Sequence, residues 1–206
     1  MKALNVDTNE LCEYKKLINS SQGKAWMKSC SEEFHRLCSG TPDIPGSNTM
    51  FFIPNTEVPL GKKVTYMRLV VTDRPQKSNP KRVRITVGGD RLDYPSDVST
   101  RTAGMETAKI LFNSIVSTPN AKFCTMDIKD FYLNTPMTEE EYQYMRIQAD
   151  IIPPDIFEFY KLKDLVHNGS VLVEIRKGMY GLSNAGRLAN DGLKPHLKKW
   201  GYYKCK

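Results

Sequence analysis

The sequence predicts an α+β fold, and three observations predict it. Apolar residues recur at helical spacing in three separated stretches, two runs rich in β-branched and large apolar residues flank a proline-bearing turn, and further short apolar runs of strand composition follow downstream. At 206 residues with 40% apolar side chains the chain can bury a core, as one large domain or two small ones.

The first helix is expected over residues 21–39, where Trp26, Met27, Cys30, Phe34, Leu37 and Cys38 fall on one face and Gly40 with Pro42 supplies the stop. Residues 40–60, rich in proline and polar side chains, read as a connector with one short strand at Met50 to Ile53. Val64 to Thr72 and Lys81 to Val87 have strand composition, and the intervening segment with Pro75 and Pro80 is turn chemistry, so the pair predicts a β-hairpin with a basic tip. Gly88-Gly89 ends it. Ser99 or Thr100 is placed to cap a second helix that would bury Met105, Ala108, Leu111, Phe112, Ile115 and Val116, closed by Pro119 and Asn120. Phe123 to Met126 reads as a short apolar strand that delivers Asp127 at its end, with Asp130, Phe131 and Tyr132 in the turn beyond. Tyr144 to Ile147 reads as a further strand, 151–165 gives no firm signal, and Val171, Val173 and Ile175 alternate with Leu172, Glu174 and Arg176 as in a strand. A last helix over 185–200 offers Leu188, Leu193, Leu197 and Trp200 for burial. No internal repeat or low-complexity tract interrupts the chain.

Charge is concentrated. Between Lys62 and Arg91 nine basic residues stand against Asp73 and Asp90, an excess of seven that equals the net charge of +7 for the whole chain. A surface that meets phosphates carries such a footprint, and so does a solubilising hairpin. The five cysteines, Cys12, Cys30, Cys38, Cys124 and Cys205, are odd in number and contain no C-x-x-C, which predicts reduced thiols. Cys30, His35 and Cys38 depart from zinc-ligand spacing, so no metal is expected there. No apolar run approaches the ~20 residues that span a bilayer, and no apolar stretch follows Lys2 as in a signal peptide. An intracellular chain with no membrane partner is expected, with cytoplasm and nucleus not distinguished.

An aspartate at the end of a buried strand needs a partner, because a desolvated carboxylate must be paired, protonated or coordinated. By residue type alone Asp127 is either a helix-capping or ion-paired acid, or a magnesium ligand. Magnesium takes hard oxygen donors, often one or two carboxylates together with substrate phosphates, and a phosphate-binding hairpin nearby suits that role.

Phe123-Cys124-Thr125-Met126-Asp127-Ile128-Lys129-Asp130-Phe131-Tyr132-Leu133-Asn134 resembles the first catalytic motif of copia-type retrotransposon reverse transcriptases, an apolar strand ending in D-[VI]-K-x-x-[FY]-L-N. Lys177-Gly178-Met179-Tyr180-Gly181-Leu182-Ser183-Asn184-Ala185-Gly186-Arg187 is similar to that family's later Y-G-L-x-Q-A-x-R motif, in the expected order. Lys81 to Gly89 resembles the K-x-R-L-V-x-x-G element of the fingers, and the helix from Lys24 to Glu33 resembles the W-x-x-A-x-x-x-E helix that leads into the domain. The resemblance covers about residues 20 to 206, with 136–170 supported only by lying between motifs.

The resemblance implies a partial right-hand polymerase: an N-terminal helix and connector (1–60), a basic fingers hairpin (61–98), and a partial palm (99–206) with an intervening fingers segment (136–170). It implies RNA- and DNA-templated deoxynucleotide polymerisation in the intact parent, with two magnesium ions, template-primer and deoxynucleoside triphosphates as partners. Asp127 would bind the catalytic magnesium, with the Ile128 carbonyl assisting. The backbone amide of Asp130 would meet the triphosphate, Tyr132 would pack under the sugar and reject a 2′-hydroxyl, and Arg84 would grip the triphosphate. Asn184 would face the nucleotide where the family has glutamine, and Lys77, Lys81 and Arg82 would follow the nucleic-acid backbone.

Departures accompany the match. Asn184 is one methylene shorter than glutamine, Ser183 stands where proline or lysine is common, and Gly186 replaces a frequent proline. No two aspartates are adjacent anywhere in the 206 residues, whereas the family's remaining acids lie on an Asp-Asp hairpin downstream of the Tyr-Gly-Leu motif. The expectation is therefore a C-terminally truncated, catalytically inert polymerase fragment with exposed apolar surface and a tendency to self-associate. A nucleic-acid-binding module without chemistry and an unrelated structural protein are the rival classes.

Overall fold

The computed structural model describes residues 2–94, 97–100, 102–125 and 127–203, so Met126 of the expected strand and the fifth cysteine, Cys205, lie outside the described residues. The architecture is α+β. A mixed sheet of five strands, in the order β3-β7-β6-β4-β5, comprises β3 (Met50–Ile53), β4 (Val64–Asp73), β5 (Lys81–Val87), β6 (Gln143–Gln148) and β7 (Ser170–Ile175). A small antiparallel pair, β1 (Ala3–Asn5) and β2 (Glu10–Cys12), precedes it. The helices are α1 (Tyr14–Leu17), α2 (Gly23–Leu37), α3 (Met105–Ser117), α4 (Pro154–Phe159) and α5 (Ala185–Lys199). None of the described helices is long and apolar enough to cross a membrane.

Helix α2 is amphipathic as its spacing predicts. Trp26, Cys30, Phe34 and Leu37 are fully buried, and α2 packs on β5. Each large apolar side chain so buried contributes about 1.5–3 kcal/mol. The packing also closes a sheet edge. As an outer strand, β5 turns one row of amides away from β4; Val83 N–H donates to Ser29 Oγ (2.9 Å) and Ile85 N–H to Glu33 Oε1 (3.4 Å), both from α2, while Val87 N–H donates to the Tyr180 carbonyl (2.8 Å).

The hairpin is continuous with the rest of the sheet. β4 pairs antiparallel with β5 from Met67 to Asp73, and its first residues, Val64 to Tyr66, pair parallel with Tyr144 to Arg146 of β6. β7, between β3 and β6, is buried on both faces. Val171, Val173 and Ile175 enter the main core, and Leu172, expected to alternate outward, joins Ile53 and Tyr144 in a smaller cluster. The unassigned stretch 151–165 forms α4, started by Pro154, whose Asp155 Oδ1 accepts a hydrogen bond from Ser31 Oγ on α2 (2.9 Å).

Three expectations are corrected. α3 begins at Met105 with Gly104 at its N-cap, and neither Ser99 nor Thr100 caps it; the Ser99 N–H and hydroxyl both donate to Asp97. No residue of α3 is buried: Met105, Ile110 and Val116 are 72%, 71% and 86% exposed. Phe123 to Thr125 belongs to no ladder and lies exposed, so Asp127 does not end a buried strand. The Phe123 ring meets Phe112 of α3, ring centroid to ring centroid 5.1 Å. A strand hydrogen-bonds only to a neighbour, and no described strand lies alongside this segment. At the other end, α5 is anchored by Ala185 and Ala189, with Leu188 packed against the core, while Leu197 and Trp200 remain exposed.

Candidate functional site

Arg84, Tyr132 and Tyr180 meet where β5, the turn after Asp127 and the Tyr-Gly-Leu segment converge. Glycine permits that approach at two positions. Gly181 has φ +98°, and a Cβ there would stand 2.1 Å from the Val87 carbonyl oxygen; a Cβ at Gly89 would stand 2.1 Å from the Gly181 carbonyl oxygen. The end of β5 is thereby seated on the turn carrying Tyr180.

Along β5, Val83, Ile85 and Val87 are buried and Arg82, Arg84 and Thr86 occupy the other face. The Arg84 guanidinium lies 4.8 Å from the Tyr180 ring centroid, and Tyr180 meets Tyr132 edge-on at 5.5 Å. Arg84 Nε and Arg74 Nε are buried and have no hydrogen-bond partner among the described residues, an unusual state for buried donors and one that an anionic oxygen would satisfy. Burial first, then the charges of Arg84 and Arg74, holds the Arg82 guanidinium below its usual pKa, as expected where like charges crowd without enough counter-charge.

Sequence reasoning assigned no role to Arg36. Its Nε and Nη2 donate to Glu33 (both 2.9 Å), and its Nη1 donates to Asp130 Oδ1 (2.8 Å). Burial alone would lower its pKa; the hydrogen bond and charge of Glu33, followed by Asp130, outweigh it and hold the guanidinium above its usual value. The Glu33-x-x-Arg36 spacing on a helix was the available signal, since i and i+3 share a face. Tyr180, quoted within its motif but given no role, is the second such residue.

Other nominated residues are placed differently. Asp127 and Ile128 lie exposed on the segment leading out of the unpaired stretch. Asp130 sits at φ +53°, opening a tight turn in which Asn134 N–H donates to the Asp130 carbonyl (3.0 Å). Lys81 is engaged inside the protein, its ammonium paired with Asp73 and 5.4 Å from the Trp26 ring centroid, which leaves Lys77 at the exposed hairpin tip and the half-buried Arg82 to face a ligand. Asn184 stands at the N-cap of α5. Only 5% exposed, with Oδ1 lacking a hydrogen-bond partner among the described residues, it lines a cavity of about 320 Å³ with Lys63, Tyr94 and Arg187.

Among the described residues no group of three or more His, Cys, Asp or Glu side chains is disposed to hold a metal ion. Asp127 with the Ile128 carbonyl offers two oxygen donors, compatible with one magnesium ion that draws its other ligands from phosphates and water. That set does not fit two adjacent ions, which require several carboxylates. Cys30 and Cys38 are buried free thiols pushed up to about 12, chiefly by burial.

No family model matches the chain, and no curated protein or solved structure matches it.

Proposed function

We propose that this chain carries the fingers and the front of the palm of a copia-type retrotransposon reverse transcriptase, a partial right-hand polymerase that binds template-primer through the β4–β5 hairpin and a deoxynucleoside triphosphate at Arg84, Asp130 and Tyr132. The observation that carries the reading is the meeting of three motifs far apart in sequence. Tyr180 of the later motif contacts both others, with its ring centroid 4.8 Å from the Arg84 guanidinium of the fingers element and 5.5 Å, edge-on, from that of Tyr132 in the Asp127 motif, and Arg84 Nε has no hydrogen-bond partner among the described residues. Magnesium belongs to the proposal as the ion carried with the triphosphate, with Asp127 its protein carboxylate. Among the described residues no group of three or more His, Cys, Asp or Glu side chains is gathered as two-metal phosphoryl transfer needs, so nucleotide addition by this chain alone is not expected.

The test combines primer extension on an RNA template with magnesium, titration of template-primer at two salt concentrations, and titration of a deoxynucleoside triphosphate. Expected are salt-sensitive binding of template-primer, magnesium-dependent binding of the triphosphate that Arg84→Ala abolishes, and no extension. Triphosphate binding indifferent to Arg84→Ala would sink the site assignment. Extension abolished by Asp127→Ala would overturn the expectation of inertness.

A second reading, a nucleic-acid-binding module without chemistry, is favoured by the exposure of Asp127 on an unpaired segment. It requires template-primer binding with no triphosphate binding, and Asp127→Ala would then change nothing.

A further inference from the structure

We infer that Arg36 is a positioning residue, which holds the Asp130 turn against the basic hairpin and so sets the geometry in which the Asp130 amide meets a triphosphate; the triphosphate part rests on the reading just proposed. A chain of polar contacts runs from strand to turn. Ile85 N–H of β5 donates to Glu33 Oε1 (3.4 Å), Glu33 accepts two bonds from Arg36 (2.9 Å each), and Arg36 Nη1 donates to Asp130 Oδ1 (2.8 Å). The side chains are 7%, 25% and 32% exposed for Glu33, Arg36 and Asp130, so this network is largely withdrawn from solvent and its bonds are weakly screened.

The geometry demands arginine. One planar guanidinium reaches two carboxylates with three of its N–H groups at fixed angles, whereas a lysine ammonium can satisfy either Glu33 or Asp130 with comparable geometry but not both. Asp130 needs such a hold, because φ +53° is disfavoured for a residue with a side chain and persists where the surroundings impose it. The turn it opens leads within two residues to Tyr132, which packs on Tyr180 beneath Arg84. Arg36 therefore touches neither the proposed triphosphate nor the sugar, yet connects the elements that present Arg84 and Tyr132.

The test uses the whole chain as wild type, Arg36→Lys, Arg36→Gln and Asp130→Asn. The first readout is native-state hydrogen exchange. Loss of a charge-assisted bond is expected to speed exchange of the amides in 130–135 about tenfold, with β6 and β7 amides unchanged. Asp130→Asn removes the negative charge at the far end of the network while keeping an acceptor oxygen, and it keeps the comparison informative if Arg36→Gln fails to fold. Exchange in 130–135 equal to wild type in a folded Arg36→Gln or Asp130→Asn variant overturns the inference. The second readout is affinity. Arg36→Lys is expected to weaken magnesium-dependent deoxythymidine triphosphate binding about tenfold while template-primer affinity stays within about twofold, a split that general destabilisation would not produce. Equal losses for both ligands overturn the positioning role. A wild-type chain that binds no triphosphate refutes the nucleotide reading, and the exchange result still decides whether Arg36 holds the turn.

Discussion

Helices α2 and α3 are of similar length, and the less apolar of the two is the buried one. α2 carries Lys24, Lys28, Glu32, Glu33 and Arg36 and buries Trp26, Cys30, Phe34 and Leu37 against the sheet. α3, with Met105, Ile110, Leu111, Phe112, Ile115 and Val116, buries no residue, and the apolar segment beyond it joins no sheet. Composition therefore does not decide burial; a facing partner does. α2 has one in β5, and the edge amides it covers reward its polar face as well as its apolar one. α3 keeps its hydrogen bonds within itself and stands as a helix with its apolar side in water.

The largest effect should come from removing the buried side of this contrast. Phe34→Ala is expected to cost about 3–5 kcal/mol, and Phe112→Ala less than about 1 kcal/mol, in urea unfolding. Comparable losses would mean that α3 is covered in solution. A second contrast is in surface chemistry. The pair Ile110→Lys and Val116→Glu is expected to lower self-association in sedimentation at high protein concentration without lowering the melting temperature. A melting temperature that falls as for Phe34→Ala would break the comparison.

Thiol reactivity sharpens it residue by residue. Cys124, exposed beside Phe123, should be alkylated readily in the native state, and Cys30 and Cys38, buried and held near 12, only on unfolding. Protection of Cys124 in mass-spectrometric labelling would show its segment covered.

The smallest expected effect is on pH dependence. His35 packs edge-on against Phe159 (4.9 Å) with Nδ1 3.3 Å from the Tyr160 hydroxyl, and burial lowers its pKa despite the charge of Asp155. The unfolded chain then binds a proton more readily than the folded one. Stability contributed by neutral His35 is present above the unfolded value, about 6.5, and declines as pH falls through it. The melting temperature should drop slightly between pH 7 and 5, and His35→Gln should flatten that slope.

Much of the local structure was legible. Met50–Ile53 and Lys81–Val87 match their expected bounds, and α2 and α5 fall within a residue or two of theirs. The hairpin was readable because β-branched composition and a proline turn act within twenty-odd residues. At the site, Arg84, Asp130 and Tyr132 stood in readable motifs, whereas Arg36 and the engagement of Lys81 by Asp73 and Trp26 depend on which side chains a neighbouring element presents. Asn184 was legible as a motif position, and the cavity it lines with Lys63, Tyr94 and Arg187 was not.

By itself the sequence determined three of the helices, α2, α3 and α5, together with the hairpin and the concentration of basic charge, because helix and tight-turn hydrogen bonds close within a few residues and charge is carried by residue identity. Tertiary structure decided which faces are buried, that 123–125 remains unpaired, and that the charge of Arg36 is spent on Glu33 and Asp130. Each of these depends on a partner distant in the chain, and a strand or an ion pair exists only when that partner is present.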